Sequence, residues 1–116
     1  MSNIGIMKKQ DYINLAKKKW VYELNRQFEV LTNKGFIAHD NTNWLLPQTG
    51  EKVNPYELAK EEYIKRLTFE EKIGEYFLNY PTKKEIDIMS IMNLFDCTPN
   101  EYIELHNRIK VLAKND

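Results

Sequence analysis

The side chains that most often carry catalysis or bind metals are few in this sequence and widely spaced. There are two histidines, His39 beside Asp40 in a polar, turn-forming stretch and His106 in a periodic apolar segment. A metal or hydrolytic site would need further His or carboxylate groups at matching helical spacing, and none stands four residues after either histidine. We therefore expect His106 to be a partly buried packing residue, and we predict no metal site.

Neighbouring carboxylates and glycines do not form a catalytic pattern either. Glu61-Glu62 and Glu70-Glu71 are sequential pairs in segments whose outer faces should be charged, so they indicate a solvated surface and not an acid-base pair. The four glycines are far apart, so no glycine-rich loop can hold a phosphate. The sequence predicts that the protein is not an enzyme, with no catalytic residue and no cofactor.

The composition is that of an ordinary globular protein. With 116 residues, 42% of them hydrophobic and 29% charged, the chain should form one domain, 1–116, and not a disordered segment. Its formal net charge of zero argues against a protein that coats nucleic acid. Residues 1–34 are basic and residues 35–116 acidic, which we interpret as two parts that neutralise each other; the alternative is a basic arm on an acidic body.

The single cysteine and the opening residues bear on location. Cys97 excludes an internal disulfide framework, and its apolar neighbours predict a small buried hydrophobe. The first lysines follow a very short apolar patch, which is the reverse of a secretory signal. No run approaches the roughly 18 apolar residues of a membrane span. We expect a cytoplasmic protein without a membrane partner.

The apolar periodicity predicts a mainly α fold with a minor β-hairpin. A helical period runs through 11–33 and stops at Gly35, a residue suited to the position after a helix end. Residues 1–9 should form a flexible arm. Residues 35–54 lose the helical period and predict a two-stranded hairpin between the first and second helices.

The second half of the chain is a predicted helical bundle over 55–113. Four positions carry a capping residue with Glu three places later, the pattern in which the two side chains satisfy each other's backbone amides. They are Asn54, Thr68, Thr82 and Thr98. Thr68 is the weakest start, because Leu67 before it faces Lys72 and not an apolar residue. Helices are predicted at 55–67, 69–79, 83–95 and 99–113, of which the first two could be one kinked helix.

The segment 83–95 is apolar on nearly every side. A helix of this kind needs cover from other elements. We therefore predict that it is the central and most buried element of a compact domain of four to five helices. A second copy of the chain could supply part of the cover, so the sequence leaves a homo-oligomer open.

The corner at 96–98, between the last two predicted helices, has the apolar spacing of a DNA-binding motif. The matching residues are Ile91, Phe95, Cys97, Tyr102 and Leu105. Over about twenty residues this spacing resembles the helix-turn-helix family, which reads DNA with the start of its second helix.

Two departures and the local charge weaken that resemblance. Asp96 replaces the usual turn glycine, and Met92 replaces the small residue that lets the two helices approach closely. The start of the second helix carries Glu101 and Glu104, which DNA phosphates would repel. We favour a structural corner over a DNA reader.

The sequence leaves two hypotheses about function. The first is a small non-enzymatic protein-binding module, an adaptor, inhibitor or assembly factor, of the general kind found among accessory proteins of phages and mobile elements. Its candidate contact residues are Trp44, Leu45, Leu46, Met89 and Met92, because Trp and Met favour hot-spot and adaptable contacts. The alternative is a helix-turn-helix-like DNA-binding regulator. Its candidate phosphate contacts are Lys8, Lys9, Lys17, Lys18, Lys19 and Arg108.

Overall fold

The computed structural model describes residues 7–82 and 85–114, which form five helices and three short strands. They are α1 (Lys9–Lys34), β1 (Ile37–Ala38), β2 (Trp44–Leu46), β3 (Glu51–Val53), α2 (Pro55–Arg66), α3 (Phe69–Asn79), α4 (Ile88–Leu94) and α5 (Pro99–Lys114). The predicted mainly α fold with a minor β element after the first helix is confirmed. Most of the predicted arm at 1–9 lies outside the described residues.

The chain divides into two compact units. One is the continuous segment 18–66, which we call the inner unit. The other, which we call the split unit, combines residues 1–17 with residues 67–116. Helix α1 therefore contributes its first turns to the split unit and the rest to the inner unit.

In the inner unit, α1 ends as its sequence predicts. Gly35 has a φ of +98°, in the left-handed region that favours glycine. The N–H of Phe36 then donates to the carbonyl of Leu31 at 3.0 Å, and both side chains are buried. This bond is that of a Schellman end, which turns the chain out of α1 and into β1.

The β element of the inner unit has three strands instead of the two predicted. They are antiparallel in the order β1-β2-β3, with Ile37 opposite Leu45 and Trp44 opposite Val53. The extra strand follows a tight turn in which the N–H of Gly50, at a φ of +79°, donates to the carbonyl of Leu46 at 2.8 Å. The predicted two-stranded hairpin did not include the pairing after this turn.

The loop between β1 and β2 is held by Asp40. Its carboxylate accepts hydrogen bonds from the backbone N–H groups of Thr42 at 2.9 Å and Asn43 at 2.7 Å. These backbone hydrogen bonds favour the charged form and lower the pKa of Asp40 from 3.8 to about 2. Asp40 therefore acts as a turn residue, and His39 beside it is exposed.

In the split unit, the most buried helix is α3. Five successive residues, 73–77, are buried, including Ile73, Tyr76 and Phe77. The helix begins with a complete capping box between Thr68 and Glu71, at the start that the sequence made least secure. Residues 55–79 are therefore two helices. The prediction that 83–95 would be the most buried element is wrong.

Gly74 allows a close approach between α3 and the beginning of α1. A Cβ atom built on Gly74 would overlap the backbone carbonyl of Tyr12, and it would lie 3.0 Å from the Cβ of Ala16. Tyr12 and Ala16 are both buried. The missing side chain of Gly74 thus sets how closely these two segments pack.

The predicted helix at 83–95 is shorter than expected, because α4 begins only at Ile88. Asp87 is its N-cap, and its carboxylate accepts from the backbone N–H of Ser90 at 2.9 Å and from the Ser90 hydroxyl at 3.1 Å. Ile86 lies before α4, and its carbonyl oxygen is 3.1 Å from His106 Nε2. A start at Thr82 is therefore wrong; Lys83 and Lys84 lie outside the described residues.

Candidate functional site

Helices α4 and α5 are anchored by a small set of apolar side chains. Ile91 of α4 and Leu105 of α5 are completely buried, and Phe95, just after α4, is buried as well. Helix α5 packs on both α3 and α4. The residues that match the helix-turn-helix spacing therefore lie inward, with Cys97 and Tyr102 half-buried.

The corner between α4 and α5 is fixed by the hydroxyl group of Tyr102. This hydroxyl accepts from the backbone N–H of Cys97 at 2.9 Å and donates to the carbonyl of Phe95 at 2.6 Å. Thr98 caps α5 by accepting from the N–H of Glu101 at 3.2 Å. A side-chain hydroxyl thus satisfies the backbone at a turn where the motif usually has glycine.

Lys72 of α3 joins α5 through an ion pair. Its Nζ atom lies 3.0 Å from Glu101 Oε2 and 3.5 Å from Cys97 Sγ. The hydrogen bond from Lys72 lowers the pKa of Glu101. Burial opposes the charge on Lys72, but its hydrogen bond to Glu101 and the nearby negative groups leave its pKa raised. Burial also raises the pKa of the Cys97 thiol, against the opposing charge of Lys72.

The side of α4 that faces away from its buried residues is apolar and open to solvent. Met89 is 59% exposed, Met92 46% and Ile88 36%. Asn93 is also exposed, whereas Ser90 and Ile91 are buried. We call Ile88, Met89, Met92 and Asn93 the α4 outer face. At about 100° per residue these four side chains cover one continuous arc of the helix.

Helix α5 also leaves part of its surface open. Ile103 is 52% exposed and Val111 is 54% exposed. Between α5 and the start of α3 lies an open groove of about 400 Å³. It is lined by Phe69, Glu104, Asn107, Arg108 and Val111. One acidic side chain, Glu104, and one basic side chain, Arg108, line this groove. Its charge therefore does not favour a ligand of either sign.

The predicted partner-binding residues belong to different compact units. Met89 and Met92 lie on the α4 outer face of the split unit. Trp44, Leu45 and Leu46 form β2 of the inner unit and are half-buried. The Trp44 ring stacks on Phe28 with centroids 5.2 Å apart, and Tyr56 meets the same Phe28 ring edge-on at 6.0 Å. Packing of the sheet on α1 accounts for Trp44, and its role in binding stays a prediction.

Three of the six cations predicted to contact phosphate have protein partners. The Nζ atom of Lys9 lies 4.9 Å from the centre of the Phe77 ring. Lys19 pairs with Glu23 at 3.2 Å, and Arg108 donates to the Tyr12 hydroxyl at 2.9 Å. The other three, Lys8, Lys17 and Lys18, are exposed.

Glu23 is a buried carboxylate that the sequence did not reveal. It is completely buried on α1, with Lys19 Nζ at 3.2 Å and Arg26 Nη1 at 3.6 Å. Within the described residues, neither carboxylate oxygen accepts a well-formed hydrogen bond. In the sequence, Glu23 follows Lys19 by one helical turn, which indicates an ion pair. Such spacing is common on exposed helix faces, so it does not indicate a buried carboxylate.

Metal ligation and membrane crossing are two further possibilities that the described residues do not support. None of their His, Cys, Asp and Glu side chains gather in threes where a metal ion could be held. No helix at 7–82 or 85–114 combines the length and the apolar character needed to cross a membrane.

Comparisons with known proteins give no relative from which a function could be transferred. No protein-family model matches the chain, and no curated protein or solved structure shows significant similarity to it.

Proposed function

We propose that the protein is a non-enzymatic protein-binding module, acting as an adaptor, inhibitor or assembly factor. The observation that supports this is the α4 outer face. Ile88, Met89 and Met92 are large apolar side chains on a helix of only seven residues, and each leaves at least a third of its surface in water. Scattered exposed apolar residues are ordinary, whereas a continuous apolar face is typical of a contact surface.

The free energy gained by covering this face would add to the affinity of a contact. Complete burial of an Ile or Met side chain stabilises by about 1.5–3 kcal/mol. At the exposed fractions of Ile88, Met89 and Met92, the remaining gain is about 1 kcal/mol for each side chain, or about 3 kcal/mol together. That corresponds to roughly a hundredfold in affinity. Methionine also adapts its shape to a partner surface.

The helix is positioned to present this face. Asp87 fixes its beginning, Ile91 and Phe95 fix its buried side, and Tyr102 fixes the corner after it. A contact surface held in this way loses less conformational freedom on binding than a loop would. The rigid support therefore favours binding through α4.

The test is affinity capture from native extract with three tagged proteins. They are the wild type, the double variant Met89→Lys/Met92→Lys, and the control Val21→Lys on α1, where Val21 is 56% exposed. We expect one or more proteins to be recovered with the wild type and the control but not with the double variant. Circular dichroism checks that all three are folded. Equal recovery by the double variant would refute a binding role for the α4 outer face.

A DNA-binding regulator is the second candidate, supported by the inward position of the helix-turn-helix-like residues. Ile91, Phe95 and Leu105 are buried as that motif requires. The exposed Glu104 in the first half of α5 counts against close approach to phosphates. A mobility-shift assay at low salt tests this candidate: salt-sensitive retention of duplex DNA supports it, and absence of retention removes it.

A further inference from the structure

We infer that the α4 outer face binds an amphipathic helix of another protein whose apolar stripe is bordered by Lys or Arg. This inference rests on the proposed function, because it names the kind of partner that the binding module accepts. The observations that carry it are the charges around α4 and the size and shape of the face.

The chain around α4 is acidic over a long stretch. Between Lys84 and Arg108 the sequence contains no Lys or Arg. The same stretch has five carboxylates, at Glu85, Asp87, Asp96, Glu101 and Glu104. Among the described cations, Lys72 reaches into this stretch and pairs with Glu101. An apolar face in an acidic stretch of the chain favours a partner that is apolar and basic.

Two of these carboxylates stand beside the two ends of α4. Glu85 precedes the helix by three residues and Asp96 follows it by two, and both side chains are exposed. A seven-residue helix is about 10 Å long, so an exposed carboxylate follows or precedes each end of a short helix. Basic side chains bordering the stripe of a bound helix can therefore reach a carboxylate at each end.

The dimensions of the face suit one helix better than a folded domain. A stable interface between two globular proteins buries about 800 Å² on each side. Three partly exposed side chains on two turns of helix provide much less than that area. A single amphipathic helix binds through a few apolar side chains along one stripe. Ile88, Met89 and Met92 can receive side chains of that number.

The charge pattern also distinguishes this partner from two others. A symmetric contact between two copies would bring the same acidic surface together from both sides, and like charges facing each other oppose it. Nucleic acid would bring phosphates to the same carboxylates. A basic amphipathic helix is the partner that both the apolar and the charged residues favour.

The probe for the test is a synthetic peptide of about five helical turns, with leucine along one face and lysine along the other. A second peptide has the same leucines and glutamate in place of lysine. Fluorescence anisotropy at low salt measures binding of each labelled peptide to the whole protein. We expect the lysine peptide to bind, and the glutamate peptide to bind at least tenfold more weakly.

Three variants locate the binding. Met89→Gln/Met92→Gln should weaken the lysine peptide about tenfold by removing the apolar anchors. Glu85→Lys/Asp96→Lys should weaken it by a similar factor at low salt and by less at high salt, since salt screens exposed charges. The control Glu29→Lys/Glu61→Lys makes the same change in net charge at exposed sites of the inner unit and should leave binding unchanged.

Several results would overturn the inference. The first two are equal binding of the two peptides and equal weakening of binding by the control variant Glu29→Lys/Glu61→Lys. The third is retention of duplex DNA by the α4 outer face. The fourth is a dimer in sedimentation that the Met89→Gln/Met92→Gln variant dissociates. If the lysine peptide does not bind but captured proteins still depend on Met89 and Met92, the partner chemistry is wrong and the proposed function stands. If neither depends on these residues, both fail.

Discussion

Replacing Gly74 by alanine should have two opposite effects on stability. In an isolated helix, alanine is favoured over glycine by about 1 kcal/mol, so propensity alone predicts a more stable protein. In this structure, however, the new methyl group would overlap the carbonyl of Tyr12 and crowd Ala16. Overpacking of this kind costs about 1–3 kcal/mol, and a backbone carbonyl can move away less easily than the end of a side chain.

Because the overlap is with backbone, we take the steric cost at the upper end of that range, about 3 kcal/mol, so the expected net result is a loss of about 2 kcal/mol. At about 4 °C for each kcal/mol in a protein of this size, the Tm of Gly74→Ala should fall by about 8 °C. Thermal unfolding followed by circular dichroism measures the change. Glu70→Ala, at an exposed position of the same helix, is the matched control and should change stability by about 0.5 kcal/mol. A rise in the Tm of Gly74→Ala would refute the close approach between α1 and α3.

Three further predictions concern polar groups. Tyr102→Phe should lower the free energy of unfolding by about 1–3 kcal/mol in urea, because the N–H of Cys97 loses its partner, whereas exposed Tyr22→Phe should be nearly neutral. Glu23→Met should lower that free energy by about 1–3 kcal/mol, because it leaves the partly exposed Lys19 and Arg26 without the carboxylate that they share; a rise would show that burial of the carboxylate outweighs its two ion pairs. The Asp40 carboxyl should titrate near pH 2 by NMR, so the stability from its turn is complete above pH 3.8 and is lost as the pH falls through about 2; a midpoint near 3.8 would contradict the turn geometry.

The parts of the fold that local chemistry controls could be predicted from the sequence. Gly35 marks the end of α1 because a left-handed residue is needed there and glycine adopts that conformation without strain. Asn54 and Thr98 mark the beginnings of α2 and α5, where their side-chain oxygens accept from backbone N–H groups of the first turn. Such signals depend on residues three or four apart, and these are visible in one sequence.

The beginning of α4 could not be predicted in this way, because two caps compete. Thr82 and Asp87 both precede apolar residues, and the sequence pattern favoured Thr82 through Glu85. The structure uses Asp87, whose carboxylate binds both the N–H and the hydroxyl of Ser90. The carbonyl of Ile86 meets His106, a residue twenty positions away, and no local pattern predicts that contact.

The candidate site was predicted only in part. Met89 and Met92 were identified from residue type, but the segment around them was expected to be the core because it is apolar on nearly every side. Burial depends on which elements cover a helix, and α3 takes the central place instead. Ile88 belongs to the same exposed face and was missed for this reason.

The division of the chain into a continuous and a split unit has a consequence for protein synthesis. Residues 18–66 leave the ribosome as one uninterrupted piece and can collapse as soon as α2 has emerged. The opening turns of α1 are made before that piece, yet the surface that receives Tyr12 and Ala16 includes Gly74, which is made much later. Until α3 has been translated, the first turns of α1 lack the neighbours that the later part of the split unit, residues 67–116, supplies in the folded protein. These opening turns of α1 are therefore among the last parts of the described chain to reach their final packing.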